Sequence, residues 1–311
     1  MISIYDLRKY ERDYSRYYSG RAGAKFPIII DGERWMIKFP ESTSGFSVKN
    51  SGNIPSYTSS PLSEYLGSHI YESLEIPVHK TILGFRENKI VVGCKDFDPM
   101  RTLVPYHDIR NSITEGEAAL SSSSSTSGEP LSDVLKVLNT APVLKNNPTI
   151  KERFWDMFVI DAFIRNNDRN NGNWGFFING DGTATSAPVF DNGNSFFNKR
   201  TPVVAENHLN NISSMIQDAY GTGVSFFLDD SGSHIHPFDF IESGVNEDCT
   251  EALKRFISHC DLKKIMAIFD EIPESAFDKE VLSPSTKQHY KTMLKLSYED
   301  RLLPAYKKLC D

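Results

Sequence analysis

Two short runs near the start of the chain, Phe26 to Ile30 and Arg34 to Phe39, are rich enough in apolar and β-branched residues to read as strands. Asp31-Gly32 separates them, a dipeptide that accepts the positive φ angles of a tight turn, so the pair predicts a β-hairpin. Thr81 to Phe85 and Lys89 to Gly93 repeat the pattern across Arg86-Glu87-Asn88. Between the hairpins the period changes. Leu62, Tyr65, Leu66, His69, Ile70 and Leu74 fall near helical spacing and predict a helix over Pro61 to Leu74, while the polar stretch Glu41 to Ser60 predicts a loop. The small residues of Ser19 to Lys25 form a loop feeding the first strand.

The texture shifts after Phe97-Asp98-Pro99, from strands with one helix to mainly helices. This predicts an α+β protein in two lobes, residues 1–98 and residues 99–311. In the second lobe Thr149 to Arg165 reads as a helix, with Phe154, Phe158, Asp161, Ala162 and Arg165 on one face and Trp155 and Val159 beside them. Trp174 to Ile178 and Thr185 to Phe190 read as strands joined by Asn179-Gly180-Asp181-Gly182. Helical patterns resume at Ala205 to Tyr220, Asp248 to His259, Leu262 to Glu271 and Ser285 to Leu309. Ser121 to Ser127, six serines and one threonine, lacks the apolar surface needed to offset ordering and predicts a mobile loop.

Composition narrows the function classes. The chain's 311 residues suffice for two packed units. Lys and Arg total 34 against 41 Asp and Glu, a net charge of -7 that argues against a sequence-independent nucleic-acid binder. Cys94, Cys249, Cys260 and Cys310 form no Cys-x-x-Cys pair and suggest reduced thiols rather than a zinc site or a disulfide framework. No run approaches eighteen apolar residues, and Met1 to Tyr18 has no apolar core for a secretory signal. The expectation is a cytoplasmic protein, with no membrane partner, and export by a signal-free route stays open.

The informative stretch is Asn166-Asn167-Asp168-Arg169-Asn170-Asn171-Gly172-Asn173, followed by the second-lobe hairpin and Asp191. A hairpin brings its two ends together, so Asn173 before the first strand and Asp191 after the second are expected at one end, with Asp168 on the loop leading there. Phosphoryl transfer uses such a set: one carboxylate to take the acceptor hydroxyl's proton, and an amide and a second carboxylate to hold magnesium on the phosphates of ATP. Asp-x-x-x-x-Asn, a hairpin and Asp form the protein-kinase arrangement, with Asp168 as base and Asn173 and Asp191 as metal ligands. The plainer reading of the motif alone is that these are turn residues serving a loop. An EF-hand fails because its sixth position would be Asn171 rather than glycine and its twelfth Phe177 rather than glutamate.

The first lobe supplies the complementary groups. Lys38 lies in the apolar run Trp35-Met36-Ile37-Lys38-Phe39 and must find an anion there, either Glu64 or the ATP phosphates; on an edge strand it would instead face solvent. Gly20 and Gly23 sit where a loop can cover phosphates with backbone amides, and Lys95, Asp96 and Phe97 fall where adenine would pair. Asp229-Asp230 and His234-Ile235-His236 lack a third metal ligand at fixed spacing and read as a solvated loop. Tyr14, Tyr17 and Tyr18 read equally as phosphoacceptors or packing groups.

These residues resemble the HipA family of serine/threonine kinases, whose two-lobed fold is shared with phosphatidylinositol and protein kinases. Asn166, Asp168, Arg169, Asn170 and Asn173 are similar to its Asn-x-Asp-Arg-His-x-x-Asn, with Asn170 in place of histidine. Pro188-Val189-Phe190-Asp191 resembles the segment ending in the metal-binding aspartate, and Ser63-Glu64-Tyr65-Leu66 with Leu74-Glu75-Ile76-Pro77-Val78 its first-lobe helix and following turn. The resemblance runs from about Ser19 to Phe196. It implies Ser/Thr kinase activity with ATP and magnesium, autophosphorylation, and protein substrates that include host-cell proteins. A nucleotide-binding interaction protein without turnover is the alternative, and a calcium-binding module a third; comparing ATP binding with phosphate transfer separates them.

Overall fold

The computed structural model describes residues 1–18, 24–43, 55–98, 100–114 and 128–310. The chain packs as two compact units. One comprises Met1–Phe97, Asn192–Gly221 and Asp261–Leu296, and the other Asp98–Asp191, Thr222–Cys260 and Ser297–Asp311.

The first unit is built on a five-stranded sheet of β1 (Tyr5–Asp6), β2 (Lys25–Ile30), β3 (Glu33–Lys38), β4 (Thr81–Arg86) and β5 (Lys89–Lys95), in the order β1-β4-β5-β3-β2. Asp31 and Gly32 have φ of 50° and 79°, so the first hairpin closes with both central residues left-handed, as the dipeptide requires. The second is tighter than the sequence suggested: Arg86 pairs with Lys89, leaving only Glu87 and Asn88 in the loop, again with positive φ. Leu7, Phe26, Ile28, Ile30, Ile37, Phe39 and Val91 close one core. Helix α1 (Ser60–Ser73) packs on β4, β5 and the helix Leu262–Glu271. Pro61 opens it with a preset φ, and Leu66 and Ile70 are fully buried.

The second unit contains β6 (Thr102–Pro105), α2 (Tyr106–Thr114), β7 (Glu129–Pro130), α3 (Leu131–Thr140), α4 (Pro148–Ile164), β8 (Gly175–Ile178) and β9 (Ala184–Ser186). Its centre is α4, buried continuously from Phe154 to Ile164 and packed against the helix Glu247–His259. Trp155 stacks on Phe240 at 5.8 Å between ring centroids, while Phe154 meets Trp174 and Phe227. Such aromatic pairs add to area burial and fix the helix's rotation. Asn147 caps the start of α4, and Arg165 ends it in the left-handed region with φ of 61°.

Several predicted elements differ in detail. The pattern Ala205 to Tyr220 resolves into helices Pro202–Leu209 and Ile212–Ile216 and a wider turn at Gln217–Gly221, because Asn211 caps a new start by accepting from Ser214 N–H. A wide turn at Tyr298–Leu302 likewise divides the final helical run. The second strand of the catalytic hairpin ends at Ser186 instead of Phe190, since Pro188 has no N–H for the ladder. Asp191 is therefore five residues beyond that strand rather than directly after it.

Candidate active site

In the second unit the loop of residues 166–173 leaves the C-terminus of α4 under tight local control. Asp161, on the last turn but one, is 6 % exposed and receives Arg169 Nε at 2.7 Å and Arg169 Nη2 at 2.9 Å. Asn166 donates its side-chain N–H to the same carboxylate at 3.2 Å, and its backbone N–H to the Asp161 carbonyl at 2.9 Å. A planar guanidinium clamped in this bidentate way has one orientation. Its remaining nitrogen, Nη1, donates to the Asn173 carbonyl at 2.9 Å and to the Phe190 carbonyl. One buried side chain thus draws together the backbone at Asn173 and the residue preceding Asp191. It adds to the hairpin, whose pairing runs on to Ala187 N–H and the Gly175 carbonyl at 3.0 Å.

Asp168 sits between these anchors. Its N–H donates to Asn166 Oδ1 at 3.3 Å, and its carbonyl accepts Asn173 Nδ2 at 2.7 Å. Its carboxylate accepts Asn170 Nδ2 at 3.0 Å, and Asn170 Oδ1 in turn accepts Gly172 N–H at 2.9 Å. Asn170 therefore braces the loop where the resemblance would place histidine. With the Asn173 amide nitrogen committed, its oxygen is the end left for a cation. Asp191 is held in the left-handed region with φ of 62°, a conformation aspartate tolerates better than most residues. An amide oxygen and a carboxylate are hard donors, and the set fits magnesium.

In the first unit Lys38 Nζ lies 2.8 Å from Glu64 Oε2. Glu64, on α1, is 1 % exposed, and its other oxygen accepts His79 Nε2 at 2.9 Å and Asn192 N–H at 3.0 Å. Burial works to raise the Glu64 pKa, but Lys38 and His79 outweigh it and hold the carboxyl below the usual range. A depressed folded pKa gives stability that is full above the unfolded value and is lost as pH falls through the folded one. We expect the stability difference between the native protein and Glu64→Gln to be present at pH 7 and to shrink only below about pH 4. Urea unfolding across pH checks this; a difference already gone at pH 6 would contradict it.

The chain is 35 % identical over 268 residues to the serine/threonine-protein kinase CtkA of Helicobacter pylori strain J99, covering 85 % of this chain and 78 % of the relative. The crystal structure of a Helicobacter pylori proinflammatory kinase CtkA superposes with a TM-score of 0.85 at 30 % identity, over 99 % of each chain. This chain belongs to the CtkA kinase family. No family model matches it. HipA of Shewanella oneidensis MR-1, solved with HipB and operator DNA, gives a TM-score of 0.52 at 14 % identity, over 96 % of this chain and 69 % of that one, a likeness of fold. The two-lobed α+β kinase fold expected from the sequence is thereby borne out, and the family is one of ATP-dependent protein kinases. No helix among the described residues is long and apolar enough to cross a membrane.

The Arg169 guanidinium holds the carbonyls of Asn173 and of Phe190, the residue before Asp191, while Asn173 Nδ2 ties to the Asp168 carbonyl, and Lys38 pairs with Glu64. Lys95 pairs with Glu33; Asp96 accepts from the Tyr18 hydroxyl and lies 3.3 Å from Arg16 Nη1. The backbone N–H groups of Lys95 and Asp96 donate to the carbonyls of Lys80 and Arg34, both at 2.9 Å. Gly20 and Gly23 lie outside the described residues, as do Ser19 and Ser121 to Ser127. Tyr18 packs, whereas Tyr14 and Tyr17 are exposed. Asp229 closes a turn by accepting from Ser231 and Ser233, and His236 caps a helix, so both belong to local structure.

Sequence reasoning missed Asp161, Arg169, His79 and Asn192 as parts of the site. For the first pair a signal existed: a charged residue on the apolar face of α4 and an arginine in the motif each need a buried partner. For His79 and Asn192 there was none, because their partner Glu64 is far away in sequence.

Proposed function

We propose that the chain transfers the γ-phosphoryl group of ATP to a serine or threonine hydroxyl of a protein, itself included, with Asp168 as catalytic base. The observation supporting this reading best is the Arg169 clamp, which holds the backbone of Asn173 and Phe190 beside the Asp168 loop. Bound ATP supplies the phosphoryl group, and a magnesium ion neutralises its oxygens. Asp168 orients the acceptor hydroxyl and takes its proton as the oxygen–phosphorus bond forms and the bond to the β-phosphate oxygen breaks, leaving ADP. Asn173 Oδ1 and the Asp191 carboxylate would hold the magnesium ion. Lys38, held by Glu64, is the cation for the phosphates, and the Lys95 to Phe97 run is the contact for adenine.

Incubation with labelled ATP and magnesium, followed by mapping of modified residues, tests the reading; Ser19 and Ser121 to Ser127 are the first positions to inspect for self-modification. Label on serine or threonine in the native protein, absent from Asp168→Ala, is the expected result. Nucleotide binding with no transfer under any condition would reduce the chain to a nucleotide-binding interaction protein. Asp191→Ala is expected to weaken magnesium-dependent ATP binding and to lower transfer by at least about 10²-fold. Isothermal titration with and without magnesium checks it, and unchanged magnesium dependence would remove Asp191 from its role.

A further inference from the structure

Beside the loop of residues 166–173 the second unit holds a half-open cavity of 340 Å³ that the proposed phosphoryl-transfer groups do not use. Its lining includes Arg110, Asn111 and His107 of α2, Glu129 of β7, and Asn170 and Asn171 of the loop. Among the described residues no apolar side chain lines it. Arg110 Nε donates to Glu129 Oε1, and Asn171 Nδ2 donates to Glu129 Oε2 at 3.1 Å. Arg110, Glu129 and Asn171 are 8 %, 1 % and 4 % exposed, so these polar groups are built into the fold and are not surface accidents.

Asn171 carries the argument. The carboxylate opposite it fixes which end of the amide is nitrogen, and its Oδ1 is then a buried acceptor with no hydrogen-bond partner. An unpaired buried acceptor is costly, so the site gains when a donor enters. Burial also raises the Glu129 pKa against the pull of Arg110 and Asn171, so its charged form gains from a further donor too. The cavity adjoins the reacting centre, since Asn170 both lines it and donates to the Asp168 carboxylate at 3.0 Å.

We infer that this cavity is an acceptor-side subsite taking a carboxamide side chain, asparagine or glutamine, close in sequence to the hydroxyl being phosphorylated. Its chemistry excludes the alternatives. An apolar side chain would leave Asn171 Oδ1 unpaired and bury polar walls. The Arg110–Glu129 pair is neutral overall, so nothing offsets the desolvation of a carboxylate, an ammonium or a guanidinium. A carboxamide offers N–H to Asn171 Oδ1 and its carbonyl oxygen to the guanidinium or amide donors of the wall.

The inference rests on Asp168 as the base, and its test separates the two. A peptide array with one acceptor serine, every flanking position varied among Gln, Asn, Leu, Lys and Glu, is phosphorylated by the full chain with ATP and magnesium. We expect one flanking position to favour Gln or Asn by about fivefold or more in kcat/KM, the worth of satisfying one buried acceptor. Asn111→Asp, at the exposed rim, is expected to shift that position toward Lys and Arg with the KM for ATP unchanged. Asn171→Leu is expected to abolish the carboxamide preference, and a preference kept in that variant overturns the subsite; Asn111→Asp keeps the proposal testable if Asn171→Leu fails to fold. Transfer to peptides with no carboxamide preference, or to the chain itself with no peptide accepted, overturns the subsite and leaves the kinase reading intact. No transfer to any acceptor overturns both.

Discussion

Asp168→Ala is expected to lower the rate of phosphoryl transfer by at least about 10²-fold while leaving the affinity for ATP within about twofold. The geometry separates the two effects. Asp168 reaches its loop neighbours Asn166 and Asn173 through its backbone, by N–H at 3.3 Å and carbonyl at 2.7 Å, and both contacts survive truncation. The amide end of Asn173 stays anchored, so its oxygen keeps its place in the proposed metal site. Truncation removes the carboxylate, and with it the hydrogen bond from Asn170. Asp168→Asn keeps the shape and removes the base, and should be nearly as slow. Single-turnover transfer and ATP titration measure the two quantities independently; full activity in either variant would exclude Asp168 as base.

Asp161→Ala is expected to destabilise the chain by roughly 3–5 kcal/mol, the usual result of leaving a buried charge without its partner. Arg169 is 3 % exposed and is held by two hydrogen bonds to Asp161, so truncation strands a guanidinium where water cannot reach it. Asn166 loses its acceptor as well. Because the same guanidinium grips the carbonyls of Asn173 and Phe190, transfer should fall along with stability in whatever fraction stays folded. The exposed pair Lys254–Glu251 is the control: Glu251→Ala should leave stability close to that of the native chain. Denaturant unfolding of both variants compares them directly. Equal costs would show that Asp161 is not the anchor of the loop.

Both predictions concern side chains whose importance the sequence revealed unequally. Asp168, Asn173 and Asp191 could be picked out because phosphoryl transfer demands particular oxygen ligands and the chain offers them at a compatible spacing. Lys38 could be assigned a partner because a lysine in an apolar strand needs an anion and the next helix carries Glu64. Strand β9 stops at Ser186, yet Ala187 N–H still donates to the Gly175 carbonyl at 3.0 Å, so the hairpin itself returns the chain toward Asn173. Arg169, which the motif contains but whose side-chain partners no local pattern discloses, adds a second tie between the two segments.

Local order was legible because it follows from short-range rules. Period two, period near 3.6 and turn dipeptides fixed β2, β3, α1 and α4 to within a residue or two, since each depends on neighbours a few positions away. The family could be read as well, from motifs that chemistry keeps at fixed spacing. What only the tertiary structure decided involves distant partners: Asn192–Gly221 and Asp261–Leu296 packing with the first ninety-seven residues, His79 and Asn192 meeting Glu64, and Glu129 meeting Asn171. Those meetings arise from burial of surfaces made by several segments at once, and the free energy of burial carries no record of sequence separation.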